Sequence, residues 1–485
     1  MMGKQPPHQP QLFYYNISLD ARIRADHPLR KIQERVDFDF VSGMVEPLYG
    51  TNGNVSVPPP VILKLMFLLF YYDVSSEREL MSTVPERLDW LWFLGYDLDS
   101  PIPDHSVLSK ARRRWGRNAF EDFFQTIVWQ CVEAGLVDGG KIFCDSSLVD
   151  ADASGSSVVD RQKFRRYWNK KYRELEVRLQ EIGDERRYVS TTDPDASVVR
   201  AGKGKAKPRY AAHRAIDSKK GVITATETTP GVVNEAHMLT ELLDGHQAST
   251  HRKAGVVVAD SKYGTVENFL KLSERDVRGH IPDLGSCQRG SNRRAGIFDI
   301  SEFVYDEETD TYVCPAGERL SPRNRMKKRK AIEYSALKKT CQACELRDQC
   351  TRNASGSRTI KRHDRQKELD RMRRISESSR SRSDLRTRKH FMERSYADAA
   401  TNHGFKRSRW RGLEKTAIQN LMIAAVQNIR IYVKHWRKPY GLAQQMREIG
   451  QETAKITNSL HESIHTTISF CSHLLRTSHF CLSEA

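Results

Sequence analysis

The sequence predicts an α/β protein in which an all-α N-terminal domain precedes a mixed-sheet domain, and a basic, cysteine-containing insertion interrupts that sheet domain. Three observations support this fold class. Apolar runs with helical spacing end near Gly135, strand-like runs begin near Gly140, and apolar periodicity is lost over residues 285–383. The segments that we predict are a loosely structured lead-in (1–50), an N-terminal helical domain (51–138), the first part of the sheet domain (139–284), the insertion (285–383), the C-terminal part of the sheet domain (384–437) and a polar tail (438–485).

Composition makes nucleic acid the first partner to consider. The formal net charge is +18, and excess Lys and Arg attract polyanions and release their counterions on binding. Heparin-binding and membrane-surface proteins are also basic, so charge alone does not decide the partner. The N-terminus lacks the apolar core of a signal peptide, and the most apolar run, 61–72, is well short of the roughly 20 residues that cross a bilayer. We therefore expect a cytoplasmic, nucleoid-associated protein without a membrane partner.

The N-terminal domain is predicted from helix signals. Prolines at 58–60 are suited to the first turn of a helix whose mostly apolar body continues to Tyr72. Ser76 and Glu79 form a capping box for the next helix. Asp104 is a candidate N-cap for a helix that is compatible with a recognition helix in the major groove of double-stranded DNA, or with a solvated basic face. Its basic residues are Lys110, Arg112, Arg113 and Arg114.

The mixed sheet is predicted from the apolar runs that follow Gly140. The first strand contains Asp145, a carboxylate that interrupts an apolar run. A charge inside a buried strand is unusual, so its presence requires an explanation. The charged segment 161–187 is predicted to form a solvated helix, and the runs on either side of Gly221 are predicted to form a hairpin. The β-branched run that ends at Asp260 is typical of a parallel strand buried on both faces.

Two helices after the insertion complete the predicted sheet domain. The first begins at Leu385 and carries Glu393, and the second is a long amphipathic helix that begins at Leu413 and closes the core. The order is then a strand with Asp145, a hairpin, a helix, a strand ending at Asp260, a helix, a strand and the helix with Glu393. This is the order of an RNase H-like domain.

The three acids in this order suit phosphoryl transfer. The reaction requires charge neutralisation at the phosphate, which two divalent ions about 3.5–4 Å apart can supply. Carboxylates are the ligands that Mg²⁺ prefers. We predict that Asp145, Asp260 and Glu393 converge to bind Mg²⁺ or Mn²⁺. Glu302 and Glu414 remain open as alternatives to Glu393. Five other acids compete for the site, although most are predicted to be turn residues or caps: Asp150, Asp152, Asp193, Asp195 and Asp217.

At these residues the sequence resembles the DDE transposases of bacterial insertion sequences, in the group with an N-terminal helical domain and a cysteine-bearing insertion before the last acid. The resemblance covers most of the chain. The matching segments are PDHSVLSKARRRW (103–115), DSSLVDADAS (145–154), TTDPDASVVRAGKGKAKPRYAAHRAID (191–217), VVADSKYG (257–264), CPAG (314–317) and HFMERSYADAATNHGFKRSRWRGLEKTAIQNLMIAAVQNI (390–429).

The resemblance implies that Asp145, Asp260 and Glu393 take the places of the catalytic acids. The implied activity is DNA cleavage at the element's terminal repeats followed by strand transfer into target DNA. Two ends must be held together, so we expect a homodimer. Two other hypotheses stay open: a catalytically inactive DNA-binding relic or repressor on the same fold, and a structure-specific nuclease.

The basic residues around Glu393 depart from the family pattern. Many relatives place a tyrosine and an arginine before the glutamate and a lysine about seven residues after it. Here Arg386 and Lys389 precede Glu393, and Ala399 and Ala400 follow it. The DNA-binding role is therefore assigned to the basic residues that remain nearby, which are Arg394, Lys406 and Arg407.

Two further features of this region leave alternatives open. The arginine-rich run 358–394 is suited to following a phosphate backbone, a contact that positions DNA without reading its sequence. Trp410 is compatible with stacking on a base at the cleaved end, but a tryptophan near a helix start more often serves packing.

Cysteines cluster in the insertion. The pattern C-x26-C-x2-C-x5-C is compatible with a tetrahedral structural Zn²⁺ or with reduced cysteines in a partly ordered loop. Its members are Cys314, Cys341, Cys344 and Cys350. A small arginine-rich insertion has little core of its own, so a metal would help it to fold. Cys131, Cys144 and Cys287 are predicted to be packing or incidental thiols.

Overall fold

The computed structural model of the protein describes most of the chain between residues 18 and 436. The described ranges are 2–3, 18–50, 54–164, 170–181, 185–285, 296–353 and 356–436. Cys287 and the predicted polar tail (438–485) lie outside the described residues.

A cluster of helices opens the described chain. The helices are α1 (Leu19–Arg22), α2 (Pro28–Arg35), α3 (Val41–Val45), α4 (Pro59–Tyr71), α5 (Glu77–Thr83), α6 (Leu88–Leu94), α7 (Ser106–Trp115) and α8 (Asn118–Glu133). Helix α4 is buried along almost its whole length. The Lys64 ammonium in α4 lies 5.8 Å from the ring centroid of Phe38 and 5.3 Å from that of Phe93, so two aromatic faces accompany its buried charge.

The prediction of a loosely structured lead-in is wrong for residues 18–50. Pro28 occupies the first turn of α2, and the His27 ring accepts a hydrogen bond from the Leu29 N–H. Leu29 and Ile32 lie one turn apart and are buried in the same core cluster as α4. Helices of four to eight residues carry too few apolar positions for a clear sequence period, and they are stabilised by packing against the rest of the chain.

An eight-stranded mixed sheet follows. Its strands are β1 (Lys141–Asp150), β2 (Val158–Asp160), β3 (Tyr188–Ser190), β4 (Ser197–Val199), β5 (Lys207–Asp217), β6 (Ile223–Pro230), β7 (Val256–Val258) and β8 (Arg278–His280). The central order is β6-β5-β1-β7-β8. Strand β5 pairs antiparallel with both β1 and β6, whereas β7 and β8 run parallel to β1. This topology confirms the predicted RNase H-like fold, including the hairpin and the parallel strand before Asp260.

Several helices connect the strands of this sheet along the chain. They are α9 (Arg161–Phe164), α10 (Lys170–Glu181), α11 (Leu239–Thr250) and α12 (Val266–Glu274). The segment predicted as one solvated helix, 161–187, contains α9 and α10, and β3 follows it at Tyr188.

The insertion forms a small domain with its own sheet. Its elements are β9 (Val304–Asp306), β10 (Thr311–Val313), β11 (Arg319–Met326), β12 (Ala331–Ser335), α13 (Lys338–Gln342), α14 (Arg347–Cys350) and β13 (Thr359–His363). All strand pairs in this sheet are antiparallel. Tyr312 and Tyr334 meet edge to face at 5.2 Å in its core. Strand β11 is polar along most of its length, which explains why the sequence lacks a clear apolar period here.

Three helices return the chain to the main sheet: α15 (Gln366–Glu377), α16 (Ser379–Asn402) and α17 (Leu413–His435). Leu369 and Met372 of α15 are buried in the cluster that contains Phe269. The insertion therefore ends before α15 and not at residue 383 as predicted. Helices α16 and α17 confirm the two helices that the sequence predicts after the insertion.

Asn428 joins α17 to the sheet. Its side chain accepts a hydrogen bond from the Ile223 N–H and donates one to the Ile223 carbonyl, both at 2.8 Å, and it is fully buried. We predict that Asn428→Ala lowers the free energy of unfolding by about 3 kcal/mol, because two buried backbone groups lose their partners. Chemical denaturation measures this. Asn402→Ala, which removes an exposed hydrogen bond, is the control and should change stability little. Equal losses in both variants would contradict the assignment.

Candidate active site

The register of two parallel strands places Asp145 and Asp260 level with each other. Phe143 of β1 pairs with Val258 of β7, and each aspartate lies two residues further along its chain. Strand β7 stops at Val258, whereas β1 continues to Asp150, so the pairing between them opens next to Asp145. The Asp260 side chain then accepts a hydrogen bond from the Lys262 N–H at 3.0 Å and caps the turn that follows β7.

A third carboxylate, from Glu235, reaches the same place. Asn234 caps a short 3-10 turn, Glu235–Met238, after β6, and this turn packs against the turn that follows Asp260. One carboxylate oxygen each from Asp145, Glu235 and Asp260 lies within 4.8 Å of the other two. Among the described residues this is the one group of three or more potential ligands that lie so close together. Clustered carboxylate oxygens fit a hard divalent cation such as Mg²⁺.

Two cationic side chains neutralise part of this charge. Arg388 on α16 donates to the Asp145 carboxylate at 2.8 Å, and the Lys262 ammonium lies 2.6 Å from Glu235. Burial raises the pKa of Asp145, and the nearby Asp260 charge raises it further, while Arg388 opposes both effects. The hydrogen bond to Glu235 is the main cause of a raised pKa for Lys262.

Glu393, the third predicted acid, is not a member of this group of close carboxylates. Arg388, Met392 and Tyr396 form the face of α16 that is turned toward the sheet, and the Tyr396 hydroxyl donates to the Asp145 carbonyl at 3.1 Å. Glu393 lies on the flank of that face, where its side chain is 68% exposed and is 3.9 Å from Lys389.

Sequence reasoning missed Glu235 because nothing around it has metal-ligand spacing. Asn234 and Glu235 have the composition of an ordinary capped turn after a hairpin strand. The available signal was positional. The turn follows β6, so it lies beside the turn that contains Asp260 once the sheet has formed.

The competing acids each have a partner within the described structure. Asp150 accepts from Arg209 at 2.6 Å, Asp193 accepts from the Tyr210 hydroxyl at 2.6 Å, and Asp217 accepts from the Gly139 N–H at 2.8 Å. Asp195 accepts from the Leu413 N–H, and Asp152 pairs with Arg411. Glu302 and Glu414 are both exposed and are not members of the acidic cluster.

The cysteines of the insertion line one cavity. Its lining includes Cys314, Cys341, Cys344 and Cys350. Burial raises the pKa of the Cys350 thiol, and the three other thiols raise it further against the effect of Arg358. No three of these sulfur atoms lie within 4.8 Å of one another in the described structure. Cys131 and Cys144 are buried free thiols, as the prediction of packing cysteines requires.

Helix α7 exposes three of its four predicted DNA-binding residues. Lys110, Arg113 and Arg114 are exposed. Arg112 is 5% exposed, forms an ion pair with Glu77 and lies 3.8 Å above the centroid of the Trp410 ring. The prediction of a DNA contact is therefore wrong for Arg112, because it is on the inward face of α7.

The packing interpretation of Trp410 is supported by a second contact. Its ring also meets Phe70 edge-on at 5.8 Å. Trp410 therefore links the segment before α17 to both α4 and α7.

The basic residues assigned near Glu393 are all exposed, but they lie in two places. Lys406 donates to the Ser147 hydroxyl at 3.0 Å, and Arg407 lies 3.1 Å from Asp152, so both flank the distal half of β1. Arg394 lines a surface pocket with Lys220 and Lys434.

Comparison with known families agrees with the fold. The model of a transposase domain family matches residues 17–114, and the model of a transposase DDE domain matches residues 313–433. No protein with a curated description matches the chain. Both matches are to transposase families, and together they support a DDE transposase of insertion-sequence type. Within the part of the chain that the structure describes, none of the helices is both long and apolar enough to span a bilayer.

The buried position of Arg112 gives a stability prediction. We expect Arg112→Ala to lower the free energy of unfolding by about 3 kcal/mol, because Glu77 would keep a poorly solvated charge without its partner. Arg113→Ala, one residue away and exposed, should change stability by less than about 0.5 kcal/mol. Thermal and chemical denaturation of both variants measure the difference. Similar stabilities for the two variants would refute the inward placement of Arg112.

Proposed function

We propose that this transposase cuts double-stranded DNA at the terminal repeats of its element and joins the freed 3′ ends to target DNA. The observation that carries the proposal is the level placement of Asp145 and Asp260 on neighbouring strands of an RNase H-like sheet. Matches to transposase domain families on both sides of these strands support it. By family resemblance, Glu393 is the third catalytic acid.

The proposed chemistry needs no protein nucleophile. Mg²⁺ or Mn²⁺, when bound, lowers the pKa of the attacking oxygen and stabilises the leaving oxygen. Asp145 and Asp260 hold the cation because their carboxylates are already close and partly buried. Arg388 keeps Asp145 in place from the α16 side, and its charge limits the repulsion among the acids.

Basic surfaces would hold the DNA backbone. Lys110 and Arg113 project from α7, and Lys406 and Arg407 lie beside β1. A large cavity between the insertion sheet and α15 has more cationic than acidic lining residues. Its cationic lining residues are Lys328, Arg329, Lys330, Lys361, Arg362, Arg373 and Arg374. Such contacts position a duplex and make binding salt-dependent, whereas base contacts would be needed to recognise a terminal repeat.

The proposal also includes a homodimer and a structural zinc site. Two ends must be synapsed for transposition, so the active form is a homodimer on DNA in the cytoplasm. A structural Zn²⁺ held by the cysteines of the insertion would stabilise a domain with a small apolar core.

A catalytically inactive DNA-binding protein is the second candidate function. The position of Glu393 favours it, because this acid is exposed and is not a member of the group of close carboxylates. The two candidates share DNA binding and differ in cleavage.

Cleavage of labelled DNA that carries the sequences flanking the gene distinguishes them. With Mg²⁺, the wild type should cut, and Asp145→Asn and Asp260→Asn should each lower the rate at least about 100-fold, the scale of losing one group that stabilises transition-state charge. Asp122→Asn, at an exposed position of α8, is the matched control and should cut normally. Protein that binds these ends but never cuts them in Mg²⁺ or Mn²⁺ would exclude the enzyme.

The proposed zinc site of the insertion has its own test. The purified chain should contain about one zinc, and Cys344→Ser should lose it and lower the melting temperature, because a structural zinc site uses four ligands. Elemental analysis by mass spectrometry gives the metal content. Cys131→Ser, at a buried cysteine outside the insertion, should retain the zinc. A metal-free wild type purified without chelators would contradict this part of the proposal.

A further inference from the structure

We infer that Glu235 is a ligand of the first catalytic cation together with Asp145 and Asp260, and that the Lys262 ammonium neutralises this site until the cation enters. The inference rests on the proposed function, because it names ligands of the same site. It adds a carboxylate that the transposase resemblance did not assign.

The first argument is the arrangement of the carboxylates. Glu235 is buried, and it lies with Asp145 and Asp260 in one group whose ligand oxygens are within 4.8 Å of one another. Three carboxylates at this separation repel each other strongly in a partly buried site, so the arrangement requires positive charge.

The second argument comes from buried polar atoms beside Glu235. The Tyr263 hydroxyl and the Nδ1 atom of His213 are buried, and neither has a hydrogen-bond partner among the described residues. Burial lowers the pKa of His213 to about 4, and the Glu235 charge opposes this shift. Burial also raises the pKa of Tyr263, to which the charges of Glu235 and Asp145 contribute. Both orphaned groups are thus within electrostatic reach of the cluster.

Unpaired buried polar groups are rare in folded proteins, and a bound ion with its water molecules is one way in which they become satisfied. Ligating carboxylates are in turn usually held by hydrogen bonds from neighbouring groups. The Ser146 hydroxyl already donates to Glu235 in this way. The surroundings of Glu235 therefore resemble the outer shell of a metal site and not those of an ordinary turn residue.

The third argument concerns Lys262. Its ammonium lies 2.6 Å from Glu235, while its side chain is 67% exposed. A lysine has a flexible stem, so this ammonium can leave the acids without disturbing the fold. A divalent cation carries more charge and accepts several carboxylate oxygens, so it should displace the ammonium. Lys262 would then be free to contact a DNA phosphate beside the site.

The test measures Mn²⁺ binding to the full chain without DNA, using the electron paramagnetic resonance signal of free Mn²⁺. Glu235→Gln and Asp260→Asn should each weaken binding at least about 10-fold. Lys262→Met should strengthen it, because a competing charge is removed. Glu267→Gln, at an exposed glutamate paired with Lys271, is the matched control and should bind Mn²⁺ as the wild type does.

Circular dichroism and thermal melting establish that each variant is folded, and Glu235→Asp should retain part of the affinity. Unchanged Mn²⁺ binding in Glu235→Gln, with binding lost in Asp260→Asn, would overturn the inference and leave the proposed function standing. Weaker Mn²⁺ binding in Lys262→Met would overturn the role of that lysine. A wild type that neither binds Mn²⁺ nor cuts DNA would overturn the inference and the proposed function together.

Discussion

The parallel pairing of β7 with β1 is the constraint on which the site depends. The pairing ends at Phe143 and Val258, and the next residue but one on each strand is an aspartate. Because the backbone register is fixed by hydrogen bonds and by the apolar side chains on both faces of β7, the sheet holds the two carboxylates level with each other. Strand β1 stays paired with β5 beyond this point, so the sheet itself forms one side of the opening beside Asp145.

Charge balance then determines what surrounds the opening. Three carboxylates meet there, and α16 and the turn after β7 each supply one cation, Arg388 and Lys262. Helix α16 is fixed to the sheet by the Tyr396 hydroxyl, which lies within hydrogen-bond distance of one carbonyl of β1 and one of β5. Strands β1 and β5 therefore position α16, and with it the Arg388 side chain that contacts Asp145.

The sequence predicted those parts of the fold whose signals are local. The apolar β-branched run before Asp260, the hairpin around Gly221 and the helix from Leu413 each have a period or a turn that a short window reveals. The short helices within 18–50 and the small sheet of the insertion have no such period, since their apolar residues are few and are buried by distant partners.

The same limit applies to the site. Asp145 and Asp260 were predicted because a charge in or directly after an apolar strand is unusual. Glu235 follows a turn with ordinary composition, so only the packed structure reveals it beside them. Which residues of α16 contact the sheet likewise depends on how the helix packs. Arg388 and Tyr396 lie on the face that meets the sheet, and Glu393 does not.

The most direct test of the account is a crystal structure of the protein soaked in Mn²⁺, with anomalous scattering used to locate the ion. The account predicts an anomalous peak between the Asp145 and Asp260 carboxylates, with Glu235 as a further ligand. A peak at other carboxylates, with none between these two aspartates, would contradict it.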